Sequence, residues 1–506
     1  MKNRSKGIAL SYVNTAISIV SGIILSSFYL RQLGRTEYGI YESIGSFINY
    51  LVLFEFGTGT VITRNLSLCF AREADEKEIK KNISTVWSIT LFLSLFIVLV
   101  AGVFFLFIGK VYSATMTAPQ IAYAKKIFVF LLVYLIVSFL NQTVNGIILA
   151  YENYTYSSKM SIIRGLSKFA LVIGLILLLK KSIIIAAVDT SISLILFLYG
   201  YFYCRKNYGT RFTVRYFDKS ILRSAMPLCM AIFLQAIVNQ ANSNVDKFVI
   251  SVMISPESVA LYSISLFIYS MFSTATTIPI SLYAPQIIKD VEKGKRGKDL
   301  ADILIRPSRL IVIIGGLILF GFICSGRQFI YMLYGEGYFK AWVIAIIIMI
   351  PMFINMSNGI VINVLDALNK RMVRSVALLI TTAANIALTV FWVKSYGIVG
   401  AASATFICTI IGQIGIMNYY YLKKLNLPIF YMFYKTYKGI VPFQMFAAAV
   451  SLLISRFISN NYVSFFVCGG VFVLLFAVLY IAFGISADEK RLVDGIFKKL
   501  HLKRNA

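Results

Sequence analysis

The stretch LQAIVNQANSNVDKFVIS, residues 234–251, sets Gln235, Asn239, Asn242 and Asp246 at spacings i, i+4, i+7 and i+11 within apolar surroundings. At about 100° per residue, these four stack within one narrow arc of a helix. Against lipid, an acid at a helix centre costs about 2.5–3.5 kcal/mol. A stripe on one face avoids that cost by turning toward protein or water. Two readings follow: a wet interior lined by the stripe, or amides bonding across a dry helix–helix interface. Four polar groups in register, one of them an acid, favour the wet interior.

Apolar runs of about 20 residues recur on both sides of this stretch, the length that crosses roughly 30 Å of hydrocarbon. Of the 506 residues, 59% are hydrophobic and 14% charged. The pattern predicts an all-α polytopic membrane protein, because a β-barrel shows short alternating segments instead. About fourteen transmembrane helices are expected, near 8–30, 40–62, 84–107, 125–150, 162–179, 183–203, 225–250, 258–283, 309–324, 342–364, 374–393, 397–421, 441–459 and 463–484. The first run is too long for a signal-peptide core and lacks a small-residue cleavage site, so it reads as a retained span.

The formal net charge is +28, from 49 basic and 21 acidic residues. With the N-terminus inside, 36 basic residues fall in inner segments, 11 in outer ones, and Lys168 and Lys247 within spans. The positive-inside rule expects this of an even number of spans with both termini cytoplasmic. The charge therefore reports topology and contact with membrane lipids, and no nucleic-acid partner is expected. The six cysteines are scattered without CxxC spacing, and the single histidine, His501, lies in the tail. Neither fits a metal or His-based catalytic site. With no GxxxxGK[ST] either, no ATP site is expected. The chain is expected to be no enzyme and to carry no cofactor.

A weak internal repeat runs through the chain. TEYGIYESI (36–44) lies over ESVALYSIS (257–265), and SIIIAAVDT (182–190) over GIVGAASAT (397–405), at offsets of 221 and 215 residues. NGI[IV] occurs in both halves, at Asn145 and Asn358, slightly off this register. Two six-span halves of like orientation are expected, with a binding site where such halves meet. The expected division is 1–206 and 207–425 for the halves, and 426–506 for two further spans and a cytoplasmic tail.

Isolated charges add candidates. Glu55 in span two and Asp189 in span six have arms too short to reach far toward headgroups. With Asp246 they are candidate ion-coupling residues. Arg164 and Lys168, an i, i+4 pair at the start of span five, and Lys247 toward the outer end of span seven keep two readings: interior basic groups, or side chains snorkelling to headgroups. Ser11, Thr15, Ser18, Gly22 and Ser26 give span one a small polar face that suits either a polar lining or close packing.

Six strings carry a family resemblance: LRQLGRTEYGIYESI (30–44), FEFGTGTVITRN (54–65), NVDKFVISVMISPESVALYSIS (244–265), YGEGY (334–338), DALNK (366–370) and YGIVGAASATFI (396–407). In order and spacing the chain resembles the oligosaccharide-lipid flippases of the polysaccharide transporter branch, in the multidrug/oligosaccharidyl-lipid/polysaccharide exporter superfamily. The resemblance implies two six-helix lobes facing each other in a V, plus two C-terminal helices in a bacterial cytoplasmic membrane. It implies that an undecaprenyl-pyrophosphate-linked oligosaccharide is flipped from the inner to the outer leaflet by alternating access. Polysaccharide polymerase and glycosyltransferases are the protein partners it suggests. By position, Arg31, Glu55, Arg64, Asp246 and Lys247 are lumen or gate candidates. Arg164, Lys168 and Lys247 then suit the phosphates, and Gln235, Asn239 and Asn242 the sugar hydroxyls. Flipping of the peptidoglycan lipid precursor and drug/cation antiport are the alternatives on one fold. The drug-exporting branch often carries an acid in the first span, and none is present here. A membrane glycosyltransferase or polymerase is the alternative from another class, disfavoured by short outer loops and the lack of a catalytic constellation.

Overall fold

A computed structural model describes residues Lys2–Ser486 and Glu489, apart from Asn369. Side chains are described from Ile17 onward, except at 231, 234, 235, 238, 239 and 241–243. The candidates Gln235, Asn239 and Asn242 therefore lie outside the described side chains, as do Ser11 and Thr15.

Every regular element among the described residues is helical. The α-helices are α1 (Lys2–Leu51), α2 (Thr58–Ala71), α3 (Glu76–Val111), α4 (Ala118–Ala150), α5 (Tyr154–Leu179), α6 (Ile183–Tyr208), α7 (Lys219–Met253), α8 (Pro256–Glu292), α9 (Gly297–Tyr334), α10 (Phe339–Ser357), α11 (Ile362–Ala367), α12 (Arg371–Cys408), α13 (Met417–Lys424), α14 (Ile429–Tyr437), α15 (Val441–Ser455) and α16 (Asn461–Leu479). Among the described residues, ten stretches are long and apolar enough to cross a membrane, or eleven with the bent pair α14–α15 taken as one span. Two of them, Ile17–Ala71 and Arg371–Lys424, run 55 and 54 residues. At 1.5 Å per residue, each is about 80 Å long, far more than one bilayer.

Each of these two turns at a single glycine in a conformation that a side chain resists: Gly34 (φ 77°, ψ 176°) and Gly397 (φ 60°, ψ −142°). Dividing both there, and adding the 35-residue α7, brings the crossings to fourteen, in keeping with the expected number. The second crossing is broken again in its middle. A 3₁₀ turn over Val52–Glu55 leads into Phe56 and Gly57, both left-handed (φ 51° and 68°), before α2 begins.

By contact the chain forms two compact units. One comprises Met1–Ile264 with Thr389–Ala401, the other Ser265–Leu388 with Ala402–Ala506. In the first, Ile44, Ile97, Ile108, Tyr112, Ile127 and Phe128 are buried together in one apolar cluster. There α2 lies close on α4. A Cβ on Gly146 would stand 2.5 Å from the Gly59 carbonyl oxygen, so only a glycine allows this approach. In the second unit, the Arg309 guanidinium of α9 holds Glu489 at 2.8 and 3.1 Å and the carbonyls of Lys435, Lys438 and Gly484 at 2.8–3.1 Å. This ties the segments flanking α14–α16 to α9.

One expectation is corrected. The apolar pattern starts the fifth span at 162, with Arg164 and Lys168 at its inner end. In the structure α5 begins at Tyr154, so the two lie ten and fourteen residues inside it. That is about 15 and 21 Å along the axis. The earlier boundary failed because YENYTYSSK (151–159) is polar by composition, yet its Asn153 side chain caps the helix by accepting the Tyr156 N–H at 3.1 Å.

Candidate functional site

Two polar ridges meet in the first unit. On α4, Ser138, Asn141, Gln142 and Asn145 are spaced i, i+3, i+4, i+7. On α5, Ser157, Ser161, Arg164 and Lys168 are spaced i, i+4, i+7, i+11. Each spacing places its residues on one face of a helix. With Tyr156 and Gly200 of α6, all but Lys168 line a cavity of about 230 Å³. It runs from the α4–α5 turn, where Asn145 lies five residues before Ala150, to Arg164.

Arg164 lines the end of the cavity away from the α4–α5 turn. Its Nη2 donates to the Tyr134 hydroxyl at 2.7 Å, and the guanidinium lies 5.6 Å from that ring's centroid. Tyr134 is the one hydrogen-bond partner that Arg164 has among the described residues. A guanidinium carries five N–H donors, so most of its capacity remains for something else in the cavity. One turn on, Lys168 pairs with the buried Asp189 of α6 at 2.8 Å. A lone buried charge in a membrane is costly, and pairing offsets that cost. At the break in the second crossing, Glu55 accepts from the Gln142 amide at 3.1 Å, which joins the break to the cavity wall.

A second polar group lies elsewhere in this unit. Glu42 accepts from Lys247 Nζ at 2.8 Å, Tyr38 OH at 2.9 Å and Ser263 Oγ at 3.0 Å. Next to Lys247, Asp246 accepts from Tyr262 OH at 2.6 Å and Thr389 Oγ1 at 3.1 Å. Thr36 donates to Glu257 at 2.6 Å. These bonds fasten α7, the start of α8 and the 389–401 segment to α1.

The second unit has a polar pocket of its own, lined by Asn355, Asn358, Arg374, Gln413 and Asn418. Here the amides satisfy one another: Asn355 donates to Gln413 at 2.7 Å and Asn358 to Asn418 at 3.0 Å. Sequence relates the two sites. QTVNGII (142–148) and NMSNGIV (355–361) share the NGI core, and each has an amide three residues before its asparagine. The motif's glycine serves packing in both, since a Cβ on Gly359 would stand 2.7 Å from Ile280.

A family model described as "Polysaccharide biosynthesis protein" matches residues 5–282, more than half of the sequence. The chain belongs to the polysaccharide biosynthesis protein family. No curated protein sequence matches it. Among solved structures, it is similar to a chain described as the lipid II flippase MurJ in an inward closed conformation. Identity is 17%, coverage 94% of this chain and 98% of that one, and the TM-score 0.68. It is also similar to an inward-facing multidrug resistance MATE family transporter of the MOP superfamily, with 13% identity, 83% and 99% coverage and a TM-score of 0.58. A third likeness is to the MATE multidrug transporter DinF-BH, with 15% identity, 83% and 95% coverage and a TM-score of 0.51. The chain is a multi-pass membrane protein with the fold of that superfamily, as its sequence strings suggested.

For this member of the polysaccharide biosynthesis family, the candidate residues separate into groups. Arg164, Lys168, Asp189 and Glu55 come together around the α4–α5–α6 cavity. Asp246 and Lys247 lie apart from it, in the Glu42 group. Arg31 and Arg64 are exposed on α1 and α2 and line neither polar pocket. The sequence reading missed Asn141, Gln142, Ser157, Ser161 and Glu42, and it used Asn145 only as a marker of the repeat. The signal was present: the α5 spacing is the same i, i+4, i+7, i+11 pattern that singled out 234–251.

Proposed function

We propose that the protein flips a lipid-linked oligosaccharide, carried on a polyprenyl pyrophosphate, from the cytoplasmic to the outer leaflet of a bacterial membrane by alternating access. The observation that carries this reading is Arg164, at mid-helix in an amide- and hydroxyl-lined cavity of a polysaccharide biosynthesis family member. Arginine's planar fork suits a pyrophosphate. Amides and hydroxyls both donate and accept, as sugar hydroxyls require. By the charge topology of the sequence, the α4–α5 turn at one end of the cavity is a cytoplasmic segment, as are both termini. Headgroups would enter there. A pyrophosphate of about two negative charges then gains about 2.3 kcal/mol per charge per 100 mV on moving outward. Lys168 exchanges Asp189 for a phosphate oxygen as the cargo moves deeper, and Asp189, Glu55 and Asp246 are the coupling candidates. The two six-span repeats, 1–206 and 207–425, supply the alternating halves, with 426–506 appended. Polymerase and glycosyltransferases are the expected partners on either side of this step.

The test is leaflet exchange in proteoliposomes, with a fluorescent polyprenyl-pyrophosphate oligosaccharide as cargo. Wild type moves it. Arg164→Ala slows it by about 100-fold, and Arg164→Lys by about tenfold, because a point charge replaces a fork. Movement of the peptidoglycan lipid precursor in preference to the oligosaccharide assigns the chain to that substrate instead. Export of cationic drugs without movement of either lipid assigns it to antiport.

A further inference from the structure

The turn that follows α6 forms another cavity in the first unit, one that the proposed transport does not use. It measures about 610 Å³ and is lined by Tyr201, Arg205, Gly209, Thr210, Arg211 and Phe212. Gly209 ends α6 with a left-handed φ of 62°, which folds the chain back so that residues before and after the cap share one wall. Tyr201 and Phe212 stack at 4.7 Å. Thr210 is only 4% exposed, and its buried Oγ1 has no hydrogen-bond partner among the described residues. Leaving a buried hydroxyl unsatisfied is costly, so this one points to a missing ligand atom.

Neither Arg205 nor Arg211 pairs with a carboxylate among the described residues. Glu76, the acid within reach of Arg211's field, is held by Lys80 at 2.7 Å. Asp218, the one acid in 205–219, is held by Lys81 at 3.2 Å and Ser220 at 2.6 Å. Beyond the cavity, exposed Val214, Tyr216 and Phe217 lie among Arg211, Arg215 and Lys219. A free phosphate uses guanidinium groups and a hydroxyl but gains nothing from this apolar border. An anionic phospholipid uses both.

We propose that this cavity binds the phosphate headgroup of an anionic phospholipid, with Arg205, Arg211 and the Thr210 hydroxyl on the phosphate and the apolar side chains beside the glycerol and upper acyl chains. Native mass spectrometry of the full chain in detergent tests it, with phosphatidylglycerol and phosphatidylcholine offered at equal concentration. Wild type retains phosphatidylglycerol selectively. Arg205→Gln with Arg211→Gln lowers that retention about twenty-five-fold, at roughly fivefold per basic group, and Thr210→Val lowers it less. Lys423→Gln with Lys424→Gln, the same loss of two charges on α13 of the second unit, leaves retention unchanged, and millimolar inorganic phosphate does not displace the lipid. Unfolding temperatures in detergent identify any variant that fails to fold; Thr210→Val, which keeps both charges, then decides. Equal retention of the two lipids overturns the proposal, as does undiminished retention by the cavity variants or equal loss in the control pair. Displacement by phosphate replaces the lipid with a free anion.

Discussion

Arg164 and Arg309 show two uses of a guanidinium beside a membrane. Arg164 spends one hydrogen bond on Tyr134 and keeps the rest of its fork for the cavity. Arg309 is saturated by Glu489 and three carbonyls and acts as a structural knot. Burial opposes ionisation of Glu489, but the Arg309 bonds and the Ser486 N–H outweigh it and lower its pKa. A carboxyl held below its unfolded value, near 4.3, adds stability that is complete above that value and lost as pH falls through the folded one. The unfolding temperature of wild type therefore drops between about pH 5 and 3. Glu489→Gln, already less stable by about 3–5 kcal/mol because it strands Arg309, changes less in unfolding temperature over that range. Equal pH slopes for the two proteins would refute the assignment. The Glu42–Lys247 pair is tested by exchange: Lys247→Glu alone destabilises the fold, and Glu42→Lys added to it restores most of the loss in unfolding temperature.

At the scale of elements, glycines and caps decide what was legible. The crossings stood out as apolar runs, and their number was readable because about 20 residues span a bilayer. Where a helix begins was less readable. Tyr154–Ser161 is polar by composition, but the Asn153 cap extends α5 through it, and this brings Ser157 and Ser161 onto the same face as Arg164. Glu42 could not be assigned from sequence, because its partner Lys247 is 205 residues away and only the fold pairs them. In sequence the NGI[IV] match marks only the internal repeat, slightly off its register. Its glycine has a packing reason as well. Gly146→Ala puts a methyl group against the Gly59 carbonyl and costs about 1–3 kcal/mol. Gly102→Ala, with no atom within 4 Å of the new Cβ, raises helix propensity and stabilises by about 0.5–1 kcal/mol. Thermal unfolding of the two variants in detergent should move in opposite directions.

Over the whole molecule, charge distribution and polar stripes carry the functional reading. In the proposed topology the basic residues concentrate on one face of the membrane, and the α4–α5 turn at one end of the first unit's cavity belongs to that face. The pocket of the second unit has related amides but bonds them to each other, so the two repeats do not offer equivalent sites in this conformation. The central claim is that the α4–α5–α6 cavity holds water and then cargo. Ser161 lines it, and among the cysteines only Cys229 is not buried. Ser161→Cys in a Cys229→Ser background, treated with a membrane-impermeant maleimide, tests the claim most directly. The account predicts labelling from the basic face and protection by lipid-linked oligosaccharide. A thiol unreactive from both faces, or one that the cargo leaves unprotected, would contradict it.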